Sequence, residues 1–384
     1  MGFKAIVLCQ SADEPAAQIA DGVVVGDYTD HAALQSLADQ CCAVTTEFEN
    51  VPADALAFLD QFDLNVRVAP KAAAVRIAQD RVQEKAHFTA SGVPVAPYRI
   101  IDSEVSLDMA LRGANKLADD FYPAILKTAR MGYDGKGQVT VRSSTELEAA
   151  WTGLSKVVCV LEKRMPLAAE CSVLLARQLD ADGAECIITW PVQRNVHVDG
   201  ILATTEVAGQ FDAPQALLDE ALTSAAKKIA NEMNYLGVLC IEFFILDGGS
   251  WVVNEMAPRP HNSGHITMNA SSLSQFEAQA RVLAGLPLVQ PRQHSCGVML
   301  NLLGDVWFDT PTSRPQEGES PREPDWARVL ALGSAGVGVH LHLYGKSEPR
   351  RARKMGHINI TAATLADVWS TAAKIQKELG SDPN

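Results

Sequence analysis

Glu242 and Glu255 are the residues whose types and spacing point most directly to chemistry. Glu242 lies within an apolar run, Gly237-Val-Leu-Cys-Ile-Glu242-Phe-Phe-Ile-Leu246, and Glu255 ends Ser250-Trp-Val-Val-Asn-Glu255. Between the two runs, Asp247-Gly248-Gly249 offers the Gly-Gly pair of a two-residue hairpin turn. With Gly248 and Gly249 as the loop, Asp247 faces Ser250, and counting outward sets Glu242 directly opposite Glu255. Opposed residues have Cβ atoms about 4.5–5.5 Å apart, where like charges repel. A shared hard cation relieves that repulsion, and Mg²⁺, which takes carboxylate oxygens and brings substrate phosphates with it, is the simplest candidate. A one-residue slip of either strand would instead leave one glutamate solvated.

Other polar stretches extend the chemistry. The loop Gly132-Tyr133-Asp134-Gly135-Lys136-Gly137-Gln138 has the glycines of a flap over polyphosphate. It is neither a Walker A loop nor a dinucleotide fingerprint, and an ordinary Gly-rich hairpin is its plain alternative. Lys127 closes the apolar strand just before it, placing a compact positive charge where a phosphate could lie. Glu162-Lys163-Arg164-Met165 ends another apolar run, where backbone groups can meet an adenine edge and a carboxylate can meet ribose hydroxyls. Asn254 to His265 is the densest polar run, holding Arg259, His261 and Ser263. His261 and His265 mimic a zinc pair in spacing, but Pro260 argues against a helix there. Arg350-Arg351-Ala352-Arg353-Lys354, with Lys346 upstream, suits one phosphate monoester or, more plainly, a solvated basic turn.

These groups need a sizeable scaffold. At 384 residues the chain exceeds one ordinary core, so two or three domains are expected. Residues 1–79 alternate short strands with helices in a βαβ rhythm that implies a parallel sheet. A helix over Asp80–Ser91 ends at Gly92, before a linker marked by Pro94 and Pro97. Residues 80–290 carry the loop, the strands and the glutamate hairpin, with a smaller lid over about 97–167. Within that lid, Thr145 and Glu148 fit a capping box. Residues 291–384 read as a small β-rich cap, preceded within it by an exposed loop over Pro311–Pro324.

Bulk properties exclude some functions. A formal charge of −13 argues against non-specific binding to nucleic acid or anionic membranes. The eight cysteines show no CxxC pair and no zinc spacing, which fits small buried hydrophobes in a reducing compartment. With no signal-peptide pattern and no membrane-spanning run, a cytoplasmic location is expected.

Taken in order, these stretches resemble the ATP-grasp superfamily and, within it, the 5-(carboxyamino)imidazole ribonucleotide synthetases of purine biosynthesis. The match rests on Thr46-Glu-Phe-Glu-Asn-Val-Pro52, Gln79-Asp-Arg81, Lys127, Gly132 to Gln138, Glu162 with Glu170, and Asn195-Val-His197 with Asp199-Gly200-Ile201. It continues through Asn254 to Arg259, His261 to His265 and Arg353-Lys-Met-Gly-His357. The resemblance implies an α/β chain of three parts: a parallel-sheet domain, a two-part ATP-grasp unit and a β-rich cap. It implies ATP- and bicarbonate-dependent carboxylation of 5-aminoimidazole ribonucleotide, through carboxyphosphate, by a homodimer. A formate-using glycinamide ribonucleotide transformylase and a non-catalytic nucleotide-binding relative are the alternatives.

By motif position, ATP falls to Arg81, Lys127, Gly132, Tyr133, Asp134, Gly135, Lys136, Gly137, Gln138, Glu162, Lys163, Arg164, Met165, Glu170, His197, Asn254 and Glu255. Glu242 and Glu255 carry Mg²⁺, two ions with ATP. Tyr133, Asp134, Arg259, Ser263, Lys346, Arg353 and Lys354 are implied for the ribonucleotide, and Asp134, Arg259 and Lys346 for catalysis. The sequence departs from the family twice. Met1-Gly-Phe-Lys-Ala-Ile-Val-Leu aligns with what is usually the second strand, so a first βα unit of about 25 residues is expected to be missing. The usual Arg-Pro-Gly-Arg-Lys reads Arg350-Arg-Ala-Arg-Lys354, which predicts an ordinary negative φ at Ala352.

Overall fold

The computed structural model describes residues 1–61, 66–112, 116–132, 137–180, 182–208, 213–308 and 320–380. The first segment contains β1 (Ile6–Cys9), β2 (Gly22–Val25), α1 (His31–Ala38), β3 (Ala43–Val44), α2 (Ala53–Leu59), β4 (Arg67–Val68) and α3 (Ala72–Ala78). Its strands are parallel, as the βαβ rhythm predicts. They form two separate ladders, β1–β2 and β3–β4, rather than one sheet. Leu34, Leu37, Leu56, Leu59, Val68 and Val75 make a shared core beneath them.

Next, α4 (Arg81–Ala90) starts at Asp80, whose carboxylate accepts from Val82 N and Gln83 N. It leads into β5 (Tyr98–Ile101), α5 (Glu104–Leu111), β6 (Ala124–Thr128), β7 (Gln138–Val141), α6 (Ser144–Gly153) and β8 (Cys159–Lys163). The four strands form an antiparallel sheet in the order β5-β8-β6-β7. Leu107, Leu126, Leu147, Trp151 and Leu161 share the core between that sheet and its helices. The expected Thr145/Glu148 box is not used. Ser143 is the N-cap of α6, and Glu146 instead reaches back to accept from Arg142 N at 2.8 Å.

The larger sheet is built from β9 (Leu167–Leu179), β10 (Glu185–Thr189), β11 (Gln193–Val198), β12 (Ile201–Val207), β13 (Gly237–Leu246), β14 (Trp251–Ala257), β15 (Cys296–Leu303), β16 (Val337–Leu343) and β17 (Lys354–Ala362). Interspersed helices are α7 (Ala213–Glu232), α8 (Thr267–Ala270), α9 (Gln275–Ala284), α10 (Trp326–Leu330) and α11 (Leu365–Glu378). The strand order is β14-β13-β9-β11-β12-β15-β17-β16, with β10 attached to β9. Thus the C-terminal strands do not close a sheet of their own: β15 pairs with β12 and continues the central sheet. This covers an edge of β12 that would otherwise expose unpaired backbone groups. The segment nevertheless keeps a distinct core, formed by Val298, Leu300, Ile358, Ile360, Val368 and Ile375. Residues 311–319 of the expected Pro-rich loop lie outside the described residues. No helix among the described residues is long and apolar enough to cross a membrane.

Two local expectations change. The glutamate hairpin turns through three residues, not two. Leu246 N donates to Ser250 O at 2.8 Å, Gly249 N donates to Leu246 O at 3.0 Å, and Gly248 and Gly249 have φ of +90° and +83°. The ladder therefore pairs Ile245 with Trp251 and Phe243 with Val253. It then shifts, so that Ile241 pairs with Met256. This is a β-bulge with one extra residue in β14, and it sets Glu242 against Asn254 and Glu255 together. The two departures compensate, which restores the predicted juxtaposition. After Pro260, Asn262–Ile266 form a 3₁₀ turn where none was expected. Pro260 precedes this turn, so its missing N–H removes no helical hydrogen bond.

Candidate active site

A buried charged cluster joins α4, β6, β8 and β14. Glu162 opposes Ile125, two residues from Lys127, so both charges project from the same face of the small sheet. Lys127 Nζ lies 3.2 Å from Glu162 Oε2, and Lys85 Nζ lies 3.4 Å from Glu162 Oε1. Arg81 Nη1 lies 3.0 Å from Glu255 Oε2. Burial lowers the Lys127 pKa despite the attraction of Glu162. Burial works against ionisation of Glu162 too, but Lys127 and Lys85 hold its carboxyl below the usual range.

Glu162 is therefore a counter-ion for two lysines, not a free carboxylate for ribose hydroxyls. The amides beyond it are also engaged: Lys163 N donates to Pro97 O at 2.8 Å and Arg164 N to Pro123 O at 2.9 Å. An apolar shelf of Pro123, Met165, Pro166 and Leu167 lies beside Arg164.

At the hairpin, burial and the neighbouring Glu255 push the Glu242 carboxyl up to about 8. Burial also acts to raise Glu255, yet Arg81 and Lys127 hold it below the usual carboxylate range. Glu255 keeps 41% of its side chain open to the cleft, so it is the more accessible member of the pair. Glu242 Oε1 and Asn254 Oδ1 are buried and lack hydrogen-bond partners among the described residues. Two carboxylates beside an orphaned amide oxygen are hard donors that fit Mg²⁺, which needs few protein ligands when substrate phosphates complete its shell. His261 and His265 take different partners: His261 Nδ1 lies 3.0 Å from Ser263 Oγ, and His265 Nδ1 lies 3.0 Å from Gln275 Nε2. No group of three or more His, Cys, Asp or Glu suited to a metal occurs among the described residues.

Along the large sheet, Glu170, Ser172, Gln193, Asn195 and Glu242 share one face through the β13–β9–β11 pairing. His197 Nδ1 approaches Glu170 Oε2 at 2.6 Å. Burial disfavours the charged imidazole, but Glu170 and Glu242 raise its pKa overall. Behind them, Asn195 Nδ2 donates to Ser172 Oγ at 3.0 Å, and Ser172 Oγ donates to Ser263 Oγ at 2.9 Å. His261 Nδ1 lies 3.0 Å from Ser263 Oγ, which leaves Nε2 3.7 Å from Glu242 Oε1. Burial, then Arg259 and Lys354, hold His261 well below its ordinary pKa and therefore neutral.

The basic candidates divide. Arg259 pairs with Glu49 from the Thr46–Pro52 stretch, and Lys354 acts electrostatically on the same histidine run. Lys346 Nζ donates to Lys354 O at 2.6 Å, which ties it to that strand. Arg353 instead donates to Glu348 O at 2.7 Å, and Arg350 pairs with the Glu348 carboxylate. Ala352 does not have the predicted negative φ. Its φ is +60°, and its N–H donates to Asp305 Oδ2 at 2.7 Å, which anchors the turn in the left-handed region.

A cavity lined by Glu49, Gln79, Arg81, Met131, Gly132 and Glu255 joins the first segment to the cluster. Tyr133, Asp134, Gly135 and Lys136 lie outside the described residues. Gly137 has φ +71°, and a Cβ there would meet Thr128 Oγ1 at 2.6 Å, while Gln138 pairs with Lys127. Sequence reasoning missed Glu49, Glu84 and Lys85 as members of the site. A signal for the last two existed: Arg81, Glu84, Lys85 and Phe88 occupy one stripe of α4, where charged residues on an inward face require partners.

Comparisons with known proteins agree along the chain. Residues 1–79 match the ribonucleotide synthetase preATP-grasp domain, 86–276 the ATP-grasp domain, and 297–371 the phosphoribosylaminoimidazole carboxylase C-terminal domain. An N5-carboxyaminoimidazole ribonucleotide synthase from Brucella melitensis biotype 1 is 39% identical over 359 residues, covering 93% of this chain and 89% of that one. The crystal structure of an N5-carboxyaminoimidazole ribonucleotide synthetase with ADP is 33% identical, with a TM-score of 0.81, covering 98% and 90%. The Aspergillus clavatus enzyme with ADP and 5-aminoimidazole ribonucleotide is 26% identical, with a TM-score of 0.80, covering 97% and 91%. The chain belongs to the N5-carboxyaminoimidazole ribonucleotide synthase family of ATP-grasp carbon–nitrogen ligases.

Proposed function

We propose that this chain uses ATP and bicarbonate to carboxylate the exocyclic amine of 5-aminoimidazole ribonucleotide in purine biosynthesis. The observation that carries the reading is the Glu242–Glu255 pair beside Arg81 and Lys127, set in a chain of this family. A bicarbonate oxygen attacks the γ-phosphorus of ATP, ADP leaves, and carboxyphosphate results. The amine nitrogen then attacks the carboxyl carbon, the P–O-linked oxygen leaves with phosphate, and the nitrogen loses a proton. The protein's part in such phosphoryl transfer is positioning and charge neutralisation.

In this reading Lys127 and Arg81 neutralise charge on the transferred phosphoryl group, which their place beside Glu162 and Glu255 supports. Glu162, 3.2 Å away, opposes the burial that lowers the Lys127 pKa. Glu242 and Glu255, with Asn254 beside them, would hold Mg²⁺, which supplies Lewis-acid neutralisation of the ATP phosphates. The flap Gly132–Gln138, the Glu162–Met165 stretch, Glu170 and His197 are assigned to ATP. In this reading Tyr133 and Asp134 are assigned to the aminoimidazole, and Asp134, Arg259 and Lys346 to catalysis. Arg259, Lys346, Arg353 and Lys354 are assigned to its phosphate or to bicarbonate, and Ser263 to the ribonucleotide. The enzyme works as a cytoplasmic homodimer.

The test is ADP release from Mg-ATP and bicarbonate, with and without 5-aminoimidazole ribonucleotide. Stimulation by the ribonucleotide is expected. Stimulation only by formate with glycinamide ribonucleotide would move the chain to the transformylase reading. ATP binding with no stimulated turnover would favour a non-catalytic relative.

A further inference from the structure

The β14 bulge creates a backbone problem that α4 solves. Val253 N donates to Pro94 O at 2.8 Å, so the polar groups of Val253 point away from β13. In a regular strand the groups of residues 254 and 256 would then point toward β13, because direction alternates along the strand. The extra residue breaks that alternation. The Asn254 carbonyl and the Met256 N–H, on either side of Glu255, both meet α4. Lys85 Nζ donates to Asn254 O at 2.9 Å, and Met256 N donates to Glu84 Oε1 at 2.8 Å.

Glu84 and Lys85 are consecutive acidic and basic residues, 2% and 0% exposed. Buried backbone groups without partners are rare, and buried charges are costly unless they are paired and hydrogen-bonded. Here each side chain satisfies a backbone group that the bulge has displaced. Lys85 also reaches Glu162, so one side chain ties the hairpin to the small sheet.

We infer that Glu84 and Lys85 are positioning residues that clamp the β14 bulge and so hold Glu255 and Asn254 against Glu242. Without the clamp, the strand can regain regular alternation, which would turn Glu255 to the opposite face. The inference rests on the reading of Glu242 and Glu255 as the cation site of the nucleotide complex.

Mn²⁺ serves as a paramagnetic probe of that site, with a non-hydrolysable ATP analogue present and the full chain used throughout. Glu84→Leu and Lys85→Met should each raise the Mn²⁺ Kd about tenfold to a hundredfold, the usual range for lost supporting contacts around a metal. Glu84→Gln, which keeps a carbonyl acceptor for Met256 N, should restore near-native affinity. Native Mn²⁺ affinity in both Glu84→Leu and Lys85→Met would overturn the clamp.

Hydrogen exchange at the Met256 amide provides a readout independent of metal. It should speed up about tenfold or more in Glu84→Leu and stay slow in Glu84→Gln, as expected when a buried N–H loses its acceptor. Absence of Mn²⁺ binding in the unsubstituted chain would defeat the cation reading. Exchange would then decide the clamp alone, with unchanged rates overturning it. Lys85→Met supplies the second folded arm if Glu84→Leu does not fold.

Discussion

At the scale of single residues, Glu242 sets the pH behaviour of the site. Burial and Glu255 push its carboxyl up to about 8, from an ordinary value of 4.5. Between those values the folded chain holds a proton that the unfolded chain has released. The contribution of Glu242 to stability therefore falls as pH rises through that window. A bound cation reverses the preference, because it favours the ionised carboxylate. Mg²⁺ binding at pH 7 should accordingly release about one proton, and its affinity should rise toward pH 8. Calorimetry in buffers of different ionisation enthalpy measures that proton. Cation binding with no proton release would contradict the paired-carboxylate account. Ala352 gives the contrasting lesson: backbone conformation in an exposed turn depends on a partner distant in sequence, here Asp305, and a lone Ala does not announce a φ of +60°.

At the scale of elements, the glutamate hairpin was legible because two apolar runs flank a Gly-Gly pair. The three-residue loop and the bulge were not, since each is a local choice set by pairing with β9 and by α4. Lys127 was legible as a strand-end charge, whereas its environment was not. Glu162 and Lys85 arrive from elements distant in sequence, and together with Lys127 they form one buried triad. Glu162→Gln removes the shared counter-charge from both lysines. Breaking a buried pair by deleting one partner costs about 3–5 kcal/mol. Urea unfolding should show a loss of that order, larger than for Glu170→Gln at the less enclosed His197 pair. Equal losses in the two variants would mean that the triad is no more dependent on its charge balance than an open pair.

At the scale of the whole molecule, the sequence order of motifs carried the family, but not how the parts are joined. Alternation of strands and helices could not show that β15, β16 and β17 extend the central sheet, since strand partners are chosen by edges that come together only in the fold. The joint between the first segment and the larger sheet was equally hidden. Gln279 on α9 donates to Thr45 Oγ1 at 2.9 Å and to Ala69 O at 3.1 Å, while its carbonyl accepts from Val238 N. One buried amide thus links β13 to two points of the first segment. Arg67 adds a contact at 3.2 Å to Val282 O on the same helix.

Gln279→Leu keeps the approximate volume but strands the Val238 N–H and the Ala69 carbonyl, and each such buried orphan costs about 1–3 kcal/mol. The loss should concentrate at the joint. Limited proteolysis is therefore expected to cut between residues 1–79 and the rest before the large sheet is attacked. Gln279→Glu, which keeps an acceptor for Val238 N, should be cut more slowly than Gln279→Leu. If instead Gln279→Leu loses both parts at the same rate, the first segment is held mainly by its apolar packing, and the amide is not the hinge pin of the joint.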